Sequence, residues 1–230
     1  MAAGSAARRE RADAILDAAA DLLRAHGYRR VSIDDVAARA GVGKGTIYLH
    51  WRTREALFWA VLQREALRLL EQLIADLAAD AELALPKRLI SRLFVELDGR
   101  PLVRAVLMSD RDVLGALTAD ESVVAAQQEM TGQPDYLQLL RDQGLLRPEL
   151  SVEAAGHLLN CVIHGFFAGA EAADPPPLAE QAALLAFVLS RSLTAEEPPT
   201  PGQVAALGES VIELFTAITD VQRRQLSQAY

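Results

Sequence analysis

Apolar residues recur along most of the chain at the three- and four-residue spacing of an amphipathic α-helix, and no stretch alternates as a half-buried strand does. The first helix is predicted from about Arg8 to His26, and a glycine follows it as a stop signal. Ser32 begins a short second helix, with Asp35 three residues later in the positions of a capping box, and Gly41 ends it. The pattern therefore predicts a long helix followed by a short one.

The remaining apolar periodicity predicts helices to the end of the chain. Lys44 to His50 form a third helix about seven residues long, and Thr53 caps a long fourth helix. Further helical segments are expected near 86–98, 101–117, 120–143, 151–172, 178–193 and 203–225, with 196–202 (EEPPTPG) as a linker. The pattern predicts an all-α fold of about nine to ten helices.

Composition narrows the class of protein. One cysteine, Cys161, makes no internal disulfide, and no cysteine pair exists to build a thiolate zinc site. The N-terminal stretch carries charges throughout, and no window has the roughly 18 to 20 apolar residues of a membrane span. We therefore expect a cytoplasmic protein without a membrane partner.

The distribution of charge changes what the total charge indicates. A net charge of -8 argues against DNA binding, since contacts to phosphates need clustered Lys and Arg. Residues 1–55, however, carry ten Lys or Arg against seven Asp or Glu, a net of +3, which leaves -11 for residues 56–230. This asymmetry predicts two domains with different partners, 1–55 and 56–230.

The second and third predicted helices have the features of a helix-turn-helix. Ala37 is small enough for the helices to approach closely, Gly41 accommodates the turn, and Val36, Val42 and Ile47 fill the shared core. A helix of seven residues is about 10 Å long and fits a major groove about 12 Å wide. From Gly41 to Arg54 no residue is acidic, and the outward set is polar or cationic: Lys44, Gly45, Thr46, Tyr48, His50, Arg52 and Arg54.

On these residues the chain resembles the TetR family of bacterial transcriptional regulators. The resemblance covers residues 8 to about 60 and is strongest in ARAGVGKGTIY, residues 38–48. It implies an N-terminal three-helix helix-turn-helix domain, a larger C-terminal helical ligand-binding and dimerisation domain, and a homodimer on an approximately palindromic double-stranded DNA operator. It also implies base contacts from Lys44, Gly45 and Leu49, and phosphate contacts from Ser32, Thr46, Tyr48, His50 and Arg54.

Three positions depart from the family pattern. Gly43 stands where serine often caps the third helix, Leu49 replaces a polar or aromatic residue, and Trp51 replaces phenylalanine. Leu49 matters most, because an aliphatic side chain contacts a thymine methyl but does not hydrogen-bond a base edge. The operator sequence therefore does not carry over from the family.

The C-terminal part resembles the family more weakly, through residues 136–150 and the helix rich in small residues that follows. In the family, the eighth and ninth helices usually form the dimer interface; here they are 151–172 and 178–193, with close packing expected at Ala154, Leu158, Val162, Gly165, Phe166 and Gly169. The resemblance also implies an effector pocket among the fourth to eighth helices, with Phe94, Met108, Met130, Asn160 and His164 as candidate lining residues. Because the chain has few aromatic residues and much Leu and Ala, we expect an apolar or amphipathic effector.

His157, Cys161 and His164 share one helical face at a spacing that permits metal ligation, but no acidic residue or second cysteine joins them locally. We therefore favour a packing role and expect no metal. No phosphate loop, nucleophile elbow or HExxH motif is present, so we expect no cofactor, no catalytic residue and no enzyme.

Taken together, these features predict a ligand-responsive DNA-binding regulator, with repression as the expected sign. Two alternatives stay open: a helical small-molecule-binding protein or enzyme that retains the helix-turn-helix only as scaffold, and a TetR-like activator.

Overall fold

A computed structural model describes residues 2–108, 133–170 and 173–229 of the chain. Ten α-helices and two short 3₁₀ segments, Tyr28–Arg30 and Ala81–Ala84, lie in these ranges, and the prediction of an all-α fold is confirmed. The helices are α1 (Ala2–His26), α2 (Ile33–Ala40), α3 (Lys44–Tyr48), α4 (Arg54–Ala79), α5 (Pro86–Asp98), α6 (Pro101–Leu107), α7 (Gln133–Asp142), α8 (Val152–Ala170), α9 (Leu178–Ser192) and α10 (Pro201–Ala229).

The last helix corrects one expectation. Residues 196–202 were predicted as a linker, but α10 already begins at Pro201 and runs to Ala229. Thr200 and Gln203 form a capping box: the Gln203 side chain accepts from the Thr200 N–H at 3.0 Å, and the Thr200 hydroxyl accepts from the Gln203 N–H. Proline is favoured in the first turn of a helix, because its missing N–H has no intrahelical partner there. Pro201 therefore marks the start of a helix within the predicted linker.

The described residues form two compact units. The first contains residues up to 68, 100–108 and 219–229, and the second contains 69–99, 133–170 and 173–218. The helix α4 contributes to both, so the first unit continues past residue 55. The division at residues 55 and 56 stays a prediction about the domains.

A continuous apolar core holds the first unit together. The inner face of α1 buries Ile15, Leu16 and Leu23, while α4 contributes Leu57 and Phe58. These positions repeat at helical spacing, so each helix presents one apolar stripe to the other. Leu22 of α1 packs against the same core but is only partly buried.

A buried arginine joins α4 to α1 inside the first unit. The Arg64 side chain is only 8% exposed, and its Nη2 donates to the Asp17 carboxylate at 2.7 Å. Nη1 donates to the backbone oxygen of Asp13 at 3.3 Å, and the Asp13 carboxylate lies 3.9 Å away. A buried guanidinium is costly unless it is paired, so Asp17 is needed to keep this cation between the helices.

In the second unit, aromatic rings and tight helix contacts form the core. Phe94 of α5 packs against Phe166 and Phe167 of α8, at centroid distances of 6.1 and 4.9 Å. Tyr136 is fully buried and donates its hydroxyl to the carbonyl of Ala84 at 2.8 Å; burial raises the pKa of this phenol. Gly208 of α10 is required for packing, since a Cβ there would lie 2.9 Å from the Cβ of Ala81.

We expect Asp17→Asn to lower the free energy of unfolding of the first unit by about 1–3 kcal/mol, because Arg64 would keep its buried charge without its nearest carboxylate. Both tryptophans, Trp51 and Trp59, lie in this unit, so their fluorescence during urea denaturation reports on it. Asp13→Asn is the matched control and should cost less, since that carboxylate is 3.9 Å away. Equal losses of unfolding free energy in the two variants would contradict the conclusion that Asp17 is the main partner of Arg64.

Candidate nucleic-acid interface

The turn between α2 and α3 has the predicted geometry. Gly41 adopts φ 65° and ψ 30°, the left-handed region that favours glycine, and the Val42 N–H donates to the carbonyl of Ala37 at 3.0 Å. Val36 and Ile47 are completely buried beneath the turn, and Val42 packs against the same core but is only partly buried. The predicted helix-turn-helix core is therefore confirmed, and the turn determines which side of α3 faces outward.

Ser32 and Asp35 form the predicted capping box at the start of α2. The Asp35 carboxylate accepts from the Ser32 N–H at 2.8 Å and from its hydroxyl at 2.6 Å, while the Asp35 N–H donates back to the Ser32 oxygen. These bonds from Ser32 hold the pKa of Asp35 below its ordinary value. Since the Ser32 hydroxyl is used in this box, its contact to a DNA phosphate stays a prediction.

The helix α3 is shorter than expected. It spans five residues, with Gly43 as an N-cap that has no side-chain hydrogen bond and Leu49 as the C-cap. Trp51 is 3% exposed, so the chain turns back into the core soon after Tyr48 instead of continuing the helix to His50. The short helix still presents a definite outer face: Lys44, Gly45, Tyr48 and Leu49 are exposed, while Thr46 is partly buried.

Leu49 is the most exposed side chain on this outer face, at 75%, and Tyr48 is 44% exposed. An aliphatic side chain left in water on a helix-turn-helix surface is suited to an apolar contact such as the methyl group of thymine. Its base contact, like those of Lys44 and Gly45, stays a prediction.

Lys44 has a partner that sequence reasoning did not identify. Its ammonium lies 3.0 Å from the carboxylate of Asp34 in the first turn of α2. The hydrogen bond to Asp34 raises the pKa of Lys44. The two residues are ten positions apart, so no helical periodicity relates them and only the turn between the helices brings them together.

Arg54 is placed differently from the expectation of a residue directed at phosphate. Its Nε donates to the carbonyl of Val31 at 2.9 Å and its Nη2 to the carbonyl of Tyr28. The guanidinium carbon also lies 4.2 Å from the Tyr28 ring centroid and 4.8 Å from that of Phe58. With a 27% exposed side chain, Arg54 stabilises the segment that precedes α2, and its phosphate contact stays a prediction.

His50 lies partly buried beside Trp51, with ring centroids 5.3 Å apart. Burial, and to a lesser degree the charges of Arg8 and Arg11, lower the pKa of His50 below 6.5. Burial therefore favours the neutral imidazole in the protein without DNA, and the phosphate contact of His50 stays a prediction.

The grouping of the candidate effector residues in one pocket stays a prediction. Phe94 lies in the core of the second unit, whereas Met108 is a partly buried residue of the first. Asn160 and His164 are exposed on α8, with His164 Nδ1 2.8 Å from the carbonyl oxygen of Asn160. Met130 lies outside the described residues.

The candidate interface residues share an open face of α8. Ala154, Gly165 and Gly169 are exposed, and the larger members Leu158, Val162 and Phe166 are only partly buried. Sequence reasoning missed two further apolar residues on α9: Leu184 is 47% exposed and Phe187 is 60% exposed. Their i, i+3 spacing on a helix was the signal that could have identified them.

The three residues at metal-ligand spacing, His157, Cys161 and His164, are exposed on α8. Cys161 Sγ lies 3.6 Å from His157 Nε2, but no group of three His, Cys, Asp or Glu suited to a metal ion occurs within the described ranges. Among the helices in those ranges, none combines the length and the apolar character that crossing a membrane requires.

Comparison with known proteins points to one family. The family model described as bacterial regulatory proteins, tetR family, matches residues 15–61. An HTH-type transcriptional repressor of Mycobacterium tuberculosis is 39% identical over 100 residues, which are 44% of this chain and 48% of the relative. An HTH-type transcriptional activator of Mycolicibacterium smegmatis is 40% identical over 57 residues, 25% of this chain and 26% of the relative.

The fold extends further than the sequence match. The solved structure of the TetR family protein CprB from S. coelicolor A3(2) superposes with a TM-score of 0.54 at 20% identity, covering 93% of this chain and 98% of that one. The sequence match spans about half the length of the mycobacterial repressor. Residues 15–61, which contain the helix-turn-helix, are therefore similar to the tetR family of bacterial regulatory proteins.

Proposed function

We propose that the protein is a homodimeric, ligand-responsive transcriptional regulator that binds an approximately palindromic DNA operator and acts as a repressor. The observation that carries this proposal is the outer face of α3. The short helix, whose one fully buried residue is Ile47, exposes Lys44, Gly45 and Leu49, which the family resemblance assigns to base contacts, and Tyr48, which it assigns to a phosphate contact. These groups supply hydrogen-bond donors and an apolar contact, which are the means of direct readout in a major groove.

The open face of α8 and α9 supports the homodimer. Three residues of α8 are buried: Ala155, Leu159 and Phe167. The other residues of this apolar helix are partly or fully exposed. Apolar side chains exposed on α8 and on α9, including Leu184 and Phe187, are costly in water and are suited to a second copy of the same chain. A two-fold dimer would present two copies of α3 to half-sites about 34–36 Å apart.

An effector controls DNA binding through the thermodynamic linkage between effector binding and operator binding. A small molecule releases the operator only if it binds more tightly to a conformation in which the two copies of α3 are badly spaced. The composition, with few aromatic residues and much Leu and Ala, favours an apolar or amphipathic effector. Native mass spectrometry of the purified protein, with and without solvent extraction, tests for such a molecule.

Activation is the second candidate, since the relatives include one named as an activator as well as one named as a repressor. A reporter gene placed downstream of the selected operator distinguishes repression from activation. Repression predicts higher expression when the protein is deleted, and activation predicts lower expression.

The DNA-binding part of the proposal is tested by selecting duplexes from a random pool with the full-length protein and measuring affinity against salt. Lys44→Ala should weaken binding to the selected duplex by about fivefold or more per half-site, since a lysine contact to a base edge is lost. The control is Lys87→Ala on α5, an exposed lysine outside the helix-turn-helix, which should leave affinity unchanged. Absence of salt-sensitive binding by the unaltered protein would reject the proposal.

Substitutions of Arg54 test whether its guanidinium contacts stabilise the proposed DNA interface. We expect Arg54→Lys to reduce DNA affinity and unfolding stability about as much as Arg54→Met, because an ammonium does not donate to two carbonyls while it stacks on two rings. The stability loss should be about 1–3 kcal/mol, measured by tryptophan fluorescence in urea. If the lysine variant instead binds DNA like the unaltered protein, positive charge alone is what this position requires.

The proposed dimer is tested at Phe187, which is more exposed than the other large apolar side chains of α8 and α9. Phe187→Glu should convert the dimer to a monomer in analytical ultracentrifugation, because a two-fold interface would bury two like charges. Val221→Glu on α10 is the matched control, since Val221 is an exposed apolar residue, at 37%, on a different helix. An unchanged dimer in the Phe187 variant would place the interface elsewhere.

A further inference from the structure

An acidic side chain lies in an otherwise basic cleft beside α3. The cleft, about 710 Å³ in volume, is bordered by the 3₁₀ segment after α1, the start of α2 and the outer face of α3. Among its described lining residues, four are cations and one is an acid; they are Arg29, Arg30, Lys44, Arg54 and Asp34. A carboxylate there repels the phosphates that the cations attract, so its presence calls for a physical explanation.

Asp34 makes a direct and well-positioned contact with Lys44. The ammonium nitrogen and the carboxylate oxygen are 3.0 Å apart, with side chains 49% and 70% exposed. Asp34 is the second residue of α2, a helix start that the capping box of Ser32 and Asp35 holds in place. Its carboxylate therefore projects from a rigid part of the fold toward a lysine with four flexible bonds.

We propose that Asp34 is a specificity-determining residue that holds the Lys44 ammonium at the outer face of α3 and keeps it from binding phosphates without regard to sequence. This inference rests on the proposed function and assigns a new role within the same interface. The pair is a positioning device: Asp34 acts on DNA recognition through Lys44.

The chemistry of the ammonium explains why pairing favours sequence reading. An ammonium has three N–H donors; one bonds to Asp34, and two remain for acceptors such as O6 and N7 of guanine. Binding to arbitrary DNA depends on cations neutralising phosphates and releasing counterions, and a lysine paired with a carboxylate contributes less to it. Exposed ion pairs are weak, so Asp34 biases the position of Lys44 without locking it.

The experiment is a double-mutant cycle on the full-length protein. Asp34→Asn, Lys44→Met and the double variant are measured on a duplex selected by the unaltered protein and on a random-sequence duplex of equal length. Asp34→Asn should raise affinity for the random duplex by about threefold to tenfold, with little gain on the selected duplex, so that the ratio of the two affinities falls. In the Lys44→Met background, the same substitution should leave the ratio unchanged within about twofold.

A second readout identifies the base position involved. New selections with Asp34→Asn and with Lys44→Met should lose base preference at the same position of each half-site. Asp21→Asn is the matched control: this carboxylate also belongs to the first unit and pairs with cations, Arg24 and Arg39, but does not line the cleft. Its removal should leave both the ratio and the base preference unchanged.

Three outcomes would overturn the inference. Equal gains of Asp34→Asn on both duplexes, repeated in the Lys44→Met background, would mean that Asp34 only repels phosphate. A base preference that depends on Asp34 in the absence of Lys44 would mean that the carboxylate contacts a base itself. An unchanged affinity ratio in Asp34→Asn would also reject the inference. All three leave DNA binding intact, whereas loss of binding by the unaltered protein would reject the proposed function.

Discussion

The burial of Ile47 is the contact on which the proposed DNA interface depends. A helix of five residues has no independent stability in water, because its nucleation cost exceeds what so few hydrogen bonds return. It persists because Ile47 is fully buried in the same core as residues of α1, α2 and α4, and because Gly41 turns the chain in the left-handed region. With one residue facing in, the neighbouring side chains have to face out, and they form the surface offered to DNA.

Charge around this surface is organised by contacts within the protein as much as by attraction to a ligand. Arg54 directs its guanidinium to two backbone carbonyls, which fixes the segment leading into α2. Lys44 is paired with Asp34 and remains half exposed. The N-terminal excess of positive charge is therefore partly used to build the interface, and only part of it is available to phosphates. The -11 of residues 56–230 opposes contact between DNA and the rest of the chain.

The second unit shows a different balance between burial and exposure. Its core is closed by aromatic contacts, by the Tyr136 hydrogen bond and by the close approach at Gly208. On α8 and α9, by contrast, apolar side chains remain in contact with water in the single chain, Phe187 most of all. The second unit thus has a closely packed core but leaves apolar side chains of α8 and α9 exposed. Such a surface is suited to self-association, which is the physical basis of the proposed dimer.

The sequence by itself determined the features that arise from a few neighbouring residues. Helical periodicity, the capping box at Ser32 and the turn at Gly41 depend on groups within four or five positions of one another, and each is found where it was predicted. The capping box at Thr200 carried the same kind of signal, and its proline and glycine neighbours were mistaken for a linker.

Only the tertiary structure decided the contacts between distant residues. The Asp34 partner of Lys44, the inward direction of Arg54 and the pairing of Arg64 with Asp17 join positions 10 to 47 residues apart. Residue type and family resemblance alone do not establish such contacts, so a shared effector pocket stays a prediction. Local hydrogen bonds and apolar spacing are encoded along the chain, whereas the partner of a long charged side chain depends on how whole helices pack.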